Sequence, residues 1–182
     1  MSRIAIPDED AAPEGAKEIL GNVKKQLGFV PKLHRLMAVS PNVLSGWLGL
    51  MSNLSKTLDV KTRDSIALAV SEANGCNYCL AAHSYVSGTF AKMTAEDIAL
   101  GRQGSSTDPK RAAAAAFAKR VIETRGHVSD ADLTMVRSAG YSEAQVVEIV
   151  ASAAQFLMTN FLNNVADTEV DFPPTASTGV AA

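Results

Sequence analysis

The chain has 182 residues, of which 47% are hydrophobic and 20% charged, and its formal net charge is −2. This length fits one domain with a sizeable core, and the near-neutral charge excludes the electrostatic footprint of a nucleic-acid-binding protein. No apolar run approaches the ~20 residues of a membrane span, and the acidic N-terminal stretch lacks the apolar segment of a signal peptide. We therefore expect a cytoplasmic protein without nucleic-acid or membrane partners, in which idle thiols stay reduced.

The first half of the chain is patterned as helices. In PEGAKEILGNVKKQLG the apolar residues fall at helical spacing, and Gly28 is a typical stop. The stretch SPNVLSGWLGLMSNLSK begins with Ser40 as N-cap and Pro41 at the first helical position. DVKTRDSIALAVSEANG repeats the periodicity and ends at Gly75. These patterns predict three helices, followed by another that starts close to Cys76 and runs to about Thr89.

Capping signals mark the helices of the second half. A Ser or Thr stands three residues before an acid or amide in three places, namely Thr94 with Asp97, Ser129 with Asp132, and Ser142 with Gln145. Another helix begins at Asp108–Pro109 and stops by Gly126, and we find no alternating β pattern of convincing length. We therefore predict an all-α fold with a single domain over residues 1–170 and a loose tail over residues 171–182.

Chemistry is concentrated in GCNYCLAAH, residues 75–83, which holds both cysteines of the chain. On a helix that starts near Cys76, the side chains of Cys76, Cys79 and His83 share one face. Cys79 and His83 are one turn apart, while Cys76 lies in the first turn, where the helix dipole stabilises a thiolate. An activated thiolate, a second thiol and a base are the groups that a dithiol oxidant or peroxide reductase needs.

Two acids precede the motif on the helix before it. Asp64 is twelve residues before Cys76, and Glu72 is four residues before it. Either carboxylate is a candidate to orient His83, or a water beside it, and so to raise the basicity of the imidazole. Because eight residues do not complete whole helical turns, the two acids need not share a face.

Other interpretations of the motif remain open. Free cysteines are often plain core residues. Zinc would find ligands in Cys76, Cys79 and His83, but a closed structural site needs four, and His34 and His127 lie far away in the sequence. The chain has neither a GxGxxG after a strand nor a CxxCH. We therefore expect no metal and no bound cofactor.

The stretch DSIALAVSEANGCNYCLAAH resembles the AhpD-like alkylhydroperoxidase or peroxidase-related family of the carboxymuconolactone decarboxylase superfamily. The family pattern is an acid, eleven residues, CxxC, three residues and His, which this chain matches with Asp64, Cys76, Cys79 and His83. Softer matches in LGFVPKLHRLMAVSPNVL, in GYSEAQVVEIVASAA and in VDFP extend the resemblance over roughly residues 4–174.

The resemblance implies an AhpD-like multi-helical bundle that assembles as a dimer, trimer or hexamer. It implies a peroxidase in which protons pass from the acid through water to His83 and then to Cys79. Cys79 attacks the peroxide, and Cys76 resolves the resulting sulfenic acid to a disulfide. An external dithiol, a lipoyl group on a partner protein in the best-known members, then reduces the pair.

The sequence departs from the family pattern at two positions. The relay acid of the best-characterised members is Glu, but here it is Asp64, so Glu72 becomes an alternative relay acid. Tyr78 stands where some members have His. On the identity of the nucleophile, the helix dipole favours Cys76 by ~0.3–1 kcal/mol. A neighbouring imidazole shifts a thiol further, so we predict Cys79.

These inferences predict a thiol-dependent peroxidase or disulfide oxidoreductase that acts on small hydroperoxides. One alternative is a lyase like the γ-carboxymuconolactone decarboxylases, although the two cysteines argue against it. The other is a redox-responsive oligomer that is not an enzyme.

Overall fold

The computed structural model describes residues 2–173, and within that range the chain forms nine α-helices and no β-strand. In chain order they are α1 (Glu14–Leu27), α2 (Lys32–Ala38), α3 (Pro41–Leu54), α4 (Val60–Ala73), α5 (Asn77–Thr89), α6 (Ala95–Gln103), α7 (Pro109–Glu123), α8 (Asp130–Ser138) and α9 (Glu143–Ala166). The predicted all-α class is therefore confirmed. The tail predicted to be loose, residues 171–182, is described only as far as residue 173, and the rest lies outside the described residues.

Helix α4 is the central element of the fold. It packs against α5, α6, α7 and α9, and its side chains from Asp64 to Ser71 are all buried. A core around Ile66 and Val70 joins it to α7, α8 and α9, whereas α1, α2 and α3 enclose a second core around Trp47. Because α4 is covered on almost every side, the polar residues that it carries lie inside the protein.

The predicted helix starts in the second half are confirmed. Ser129 and Ser142 form complete capping boxes with the residue three positions later. Thr94 and Asp108 each accept the backbone N–H three residues on. Ser40 occupies the N-cap position of α3, but its side chain makes no capping hydrogen bond.

A tight turn between α4 and α5 presents the CxxC motif. Gly75 has φ +60°, a left-handed conformation that a glycine adopts without strain. The backbone N–H of Cys76 donates to the carbonyl of Ser71 at 3.0 Å, which closes the turn. Cys76 is the N-cap of α5, and its sulfur accepts the N–H of Cys79 at 3.3 Å. The helix predicted from about Cys76 to Thr89 is thus confirmed.

Helix α2 is an element that the apolar periodicity did not single out. It has seven residues, fewer than two full turns, which is too short for a helical period to be recognised. Pro31 precedes its first residue and fixes the entry of the chain into the helix. Its partly buried Leu33 packs against the cluster of Cys76, Tyr78 and Cys79, so α2 forms one wall around the motif.

Helix α9 carries a row of buried polar side chains. With 24 residues, it is long and apolar enough to cross a membrane by length and composition alone. One face, however, lies against α4 and α5 inside the fold. The buried polar residues on α9 are Ser152, Gln155, Thr159, Asn160 and Asn163. This helix therefore acts as a core helix that supplies polar groups to the region behind the CxxC motif.

Candidate functional site

Cys76 and Cys79 form a closed, buried pair at the start of α5. Their side chains are 0% and 3% exposed, their Cα atoms are 5.3 Å apart, and their sulfurs lie at disulfide-bonding distance. This Cα separation is within the range that a disulfide requires. The backbone therefore needs no rearrangement to interconvert a dithiol and a disulfide at this position.

Asn163 of α9 contacts the second cysteine, and sequence reasoning missed it. Its Nδ2 lies 3.4 Å from the Sγ of Cys79 and 3.0 Å from the carbonyl oxygen of Thr159, one turn earlier on the same helix. Its Oδ1 is buried and has no hydrogen-bond partner among residues 2–173. The sequence holds no local signal for this contact, because 84 positions separate the two residues.

His83 lies on α5 one turn after Cys79. Its imidazole packs edge-on against Phe156 of α9, with the ring centroids 5.2 Å apart. Burial lowers the pKa of His83 to about 4, because the charged imidazolium would lose its hydration. At neutral pH the ring is therefore uncharged.

Asp64 is the acid that the fold buries next to α5. Its side chain is 8% exposed, and Oδ2 has no hydrogen-bond partner in the described part of the chain. Burial raises the pKa of Asp64 to about 6, and the hydroxyl of Ser87 only partly opposes that rise. Ser87 is one turn beyond His83 on α5. The carboxyl group of Asp64, on α4, therefore lies beside α5 near Ser87, and its pKa is close to neutrality.

Glu72 has a different environment. Its partly exposed carboxylate accepts a hydrogen bond from the Nε of Arg102 on α6 at 2.6 Å. With Arg102 and Lys119 it lines a surface cavity that does not include the cysteines. The geometry thus favours Asp64 over Glu72 as the relay acid, and a catalytic role for Glu72 stays a prediction.

Tyr78, between the two cysteines, anchors the C-terminal segment. Its hydroxyl donates to Asp171 Oδ1 at 2.9 Å and accepts the backbone N–H of Leu33 at 3.1 Å. Burial and the nearby carboxylate both raise the pKa of Tyr78, so its hydroxyl stays protonated. The ring of Phe172 packs edge-on against Tyr78, in the buried cluster that Tyr78 forms with Cys76 and Cys79. The first residues of the predicted loose tail are therefore held against the motif.

Rings on neighbouring segments surround this region. Phe172 also packs against Phe29, with centroids 5.5 Å apart, and against Tyr85, with centroids 5.9 Å apart. Together with Phe156 on the other side of α5, these residues give the surroundings of the CxxC motif an apolar, aromatic character.

The zinc interpretation finds no support in the geometry. Within the described residues, no three His, Cys, Asp or Glu side chains come together in an arrangement that could hold a metal ion. His34 packs against Trp47 in the other core, with ring centroids 5.6 Å apart. His127 lies in the turn between α7 and α8.

The family pattern is recognised independently of this geometry. The model of the carboxymuconolactone decarboxylase family matches residues 41–123, which include Asp64, both cysteines and His83. Residues 41–123 of the chain are therefore similar to the carboxymuconolactone decarboxylase family. The matched region ends before α9, so Asn163 lies outside it.

Solved structures share the AhpD-like fold along nearly the whole chain. A peroxidase-related protein from Ralstonia eutropha JMP134, described as an alkylhydroperoxidase AhpD core, superposes with TM-score 0.83 and 24% identity, covering 93% of this chain and 92% of that one. A peroxidase-related protein from Silicibacter sp. TM1040 gives 0.77 and 22%, covering 96% and 92%. These similarities confirm the AhpD-like fold.

A further solved structure with the same fold is that of a debrominase. The debrominase Bmp8, with a cysteine replaced by alanine and in complex with 2,3,4-tribromopyrrole, superposes with TM-score 0.78 and 20% identity. The superposition covers 94% of each chain. No protein in a search of curated sequences matches this AhpD-like chain.

Proposed function

We propose that this protein is a thiol-dependent peroxidase that reduces small alkyl hydroperoxides in the cytoplasm. The observation that carries the proposal is the buried Cys76–Cys79 pair at the start of α5, with His83 one turn further along the same helix. Paired thiols at bonding distance store two electrons, and peroxide reduction consumes two. The family match over residues 41–123 and the AhpD-like fold support the same chemistry.

The first step is attack of the Cys79 thiolate on the terminal oxygen of the hydroperoxide. An S–O bond forms while the O–O bond breaks, and two electrons pass from sulfur to oxygen. The alkoxide takes a proton and leaves as an alcohol, and Cys79 becomes a sulfenic acid. His83 receives the thiol proton of Cys79 as a neutral imidazole and delivers it to the alkoxide.

Cys76 completes the reaction from the first turn of α5. As a thiolate it attacks the sulfur of the sulfenic acid, so an S–S bond forms and the S–O bond breaks. The hydroxide that leaves takes a proton to become water. An external dithiol then reduces the disulfide by exchange and is itself oxidised to a disulfide. A lipoyl group on a partner protein fits this requirement, because its two thiols are carried on an extended arm.

Asp64, on α4, exchanges protons with the site on α5. A carboxyl group with a pKa near 6 exchanges protons readily at neutral pH, whereas a solvated aspartate stays ionised. Its position beside Ser87, one turn beyond His83, supports a role in returning the proton that the imidazole needs in each cycle. We assign the relay to Asp64 rather than Glu72, because Arg102 binds the Glu72 carboxylate.

The protein is also proposed to work as a homo-oligomer. Helix α9 exposes large apolar side chains along one stripe, including Val147, Met158, Phe161 and Val165. Phe161 is 55% exposed and Val165 59% exposed. A second copy of the chain that covers this stripe would bury apolar surface, which is a favourable contribution to association.

Reductive dehalogenation of a haloaromatic compound is a second candidate function. The aromatic rings around the motif and the fold shared with a debrominase favour it. In that reaction a thiolate would take the bromine from carbon, which gains a proton. The second thiol would then displace bromide to form the disulfide. Peroxidase activity remains the leading proposal, because the chain also shares its fold with peroxidase-related proteins.

The deciding experiment is steady-state consumption of tert-butyl hydroperoxide by the reduced protein, with dihydrolipoamide as donor. We expect turnover that disappears in Cys79→Ser and persists in Asn77→Ala, a control at the exposed position between the two cysteines. Turnover of 2,3,4-tribromopyrrole without turnover of peroxide would favour the dehalogenase. Loss of carboxymuconolactone that survives a thiol blocker would favour the lyase. A disulfide that forms with peroxide but never turns over would favour a redox-responsive oligomer.

A further inference from the structure

We propose that Asn163 holds the Cys79 sulfur in its anionic form by a hydrogen bond from its side-chain amide, and that this contact makes Cys79 rather than Cys76 the nucleophile. The contact joins α9 to the sulfur of Cys79. Asn163 itself lies outside the segment that matches the family model, residues 41–123. The catalytic meaning of this inference rests on the proposed function, whereas the hydrogen bond itself is testable without any substrate.

The orientation of the Asn163 amide is fixed by its second contact. The NH₂ group has two hydrogens, and Nδ2 lies within reach of two acceptors, the Thr159 carbonyl at 3.0 Å and the Cys79 Sγ at 3.4 Å. Rotating the amide by half a turn would bring Oδ1 against the Thr159 carbonyl, where two acceptors repel each other. The group that faces the sulfur is therefore an N–H donor.

Burial makes this donor effective. Asn163 is 2% exposed and Cys79 is 3% exposed, so little water competes for the contact. Hydrogen bonds to an ionised acceptor are roughly twice as strong as neutral ones, and a low local dielectric strengthens them further. A thiol or a disulfide sulfur is only a weak acceptor. The contact therefore stabilises the thiolate more than the thiol or the disulfide.

The contact also gives each of the two cysteine sulfurs an N–H donor. The sulfur of Cys76 accepts the backbone N–H of Cys79 at the helix N-terminus, which favours a thiolate there. Through Asn163 the sulfur of Cys79 gains an N–H donor of its own. Since His83 lies one turn after Cys79, the combination of donor and base is available only to the second cysteine.

The surroundings of Cys79 contain few titratable side chains. On α5 they are Cys76, Tyr78 and, one turn after Cys79, His83, and the buried acid of α4 is Asp64. Helix α9 faces the motif with neutral side chains, and α2 contributes Leu33. Asp171 of the C-terminal segment is engaged by the Tyr78 hydroxyl. The Asn163 amide is therefore a neutral donor whose effect is separable from these charges.

The test measures the ionisation of Cys79 alone. Cys76→Ser is the background, because serine is a good N-cap and leaves Cys79 as the single thiol. Titration of the ultraviolet absorbance of the thiolate then gives the pKa of Cys79. We expect Asn163→Leu to raise that pKa by about one to two units, the size of a charge-assisted hydrogen bond. Asn160→Leu is the matched control, since Asn160 is a buried asparagine of α9 that bonds Ser71 and Asn74 instead of sulfur.

The outcomes are distinct. A pKa in Asn163→Leu equal to that in Asn160→Leu overturns the proposal. If Asn163→Leu does not fold, Asn163→Asp keeps the shape of the side chain but replaces the N–H donor with a carboxylate oxygen, and it must raise the pKa still further. An unchanged pKa in that variant also overturns the proposal. Since none of these titrations uses peroxide, a protein without peroxidase activity can still show the Asn163 effect.

Discussion

The side-chain amide of Asn163 lies 3.4 Å from the Sγ of Cys79 and joins the last helix of the fold to the CxxC motif. Two turns earlier on the same helix, Phe156 packs against the ring of His83. Helix α9 thus positions both the sulfur and the imidazole that serve the proposed reaction. Changes on α9 are therefore expected to alter chemistry at residues some 80 positions away in sequence.

The protonation of His83 should depend on the redox state of the cysteines. In the disulfide form the pKa of His83 is about 4, because burial disfavours the imidazolium. Reduction allows Cys79, one helical turn before His83, to ionise to a thiolate. This nearby negative charge raises the pKa of the imidazole. Titration of the histidine ring protons by NMR, in oxidised and reduced protein, measures the change.

His34 is the matched control for that titration. Burial lowers its pKa to about 4 as well, but it packs against Trp47 in the other core. Its titration should be the same in both redox states. If His83 and His34 respond identically to reduction, no thiolate–imidazolium pair forms, and His83 does not act as the base for Cys79.

Asp64→Asn should stabilise the protein at neutral pH while it slows turnover. Burial raises the pKa of Asp64 from 3.8 to about 6, so the folded state binds this proton more tightly than the unfolded state does. Folding stability from this group is therefore lost as pH rises between about 4 and 6. Removing the charge should increase the free energy of unfolding above pH 6 by about 3 kcal/mol. Urea unfolding at several pH values measures it.

Asp97 provides a control of opposite sign. Its pKa is lowered, first of all by the hydrogen bond from Thr107, so its ionised form stabilises the folded state. Asp97→Asn should therefore reduce the free energy of unfolding at neutral pH. If Asp64→Asn also destabilises the protein at neutral pH, the ionised Asp64 carboxylate does not disfavour the folded state. The raised pKa on which the proposed relay depends would then be wrong.

Phe172 should limit access to the cysteines. Its ring packs on Tyr78 in the buried cluster that includes Cys76 and Cys79, and Asp171 beside it is held by the Tyr78 hydroxyl. In Phe172→Ala this cover is removed, so the disulfide should be reduced faster by dithiothreitol, with its reduction measured by thiol release. Phe90→Ala, at an exposed ring on the far end of α5, should leave the rate unchanged. Equal rates in both variants would contradict the covering role.

Local parts of the site could be predicted from the sequence. Cys76, Cys79 and His83 share a helix, so the helical repeat alone places them on one face, and Gly75 marks where that helix starts. The burial of Asp64 could not be foreseen, because it depends on how α4 packs among four other helices.

Long-range parts of the site lay beyond sequence reasoning. Glu72 is four positions before Cys76, which made it a candidate, yet Arg102, thirty positions later, binds its carboxylate. Asn163 gave no signal, since an asparagine on a helix has no pattern that points to a distant sulfur. Such contacts are decided by packing and not by spacing.

The most direct measurement of the central claim is the site of oxidation by peroxide. One equivalent of tert-butyl hydroperoxide is added to reduced Cys76→Ser and to reduced Cys79→Ser, and the sulfenic acid is trapped with dimedone and located by mass spectrometry. We predict rapid formation of an adduct on Cys79 in the first variant and no comparable adduct in the second. An adduct that forms on Cys76 as fast, or no adduct in either variant, would contradict the account.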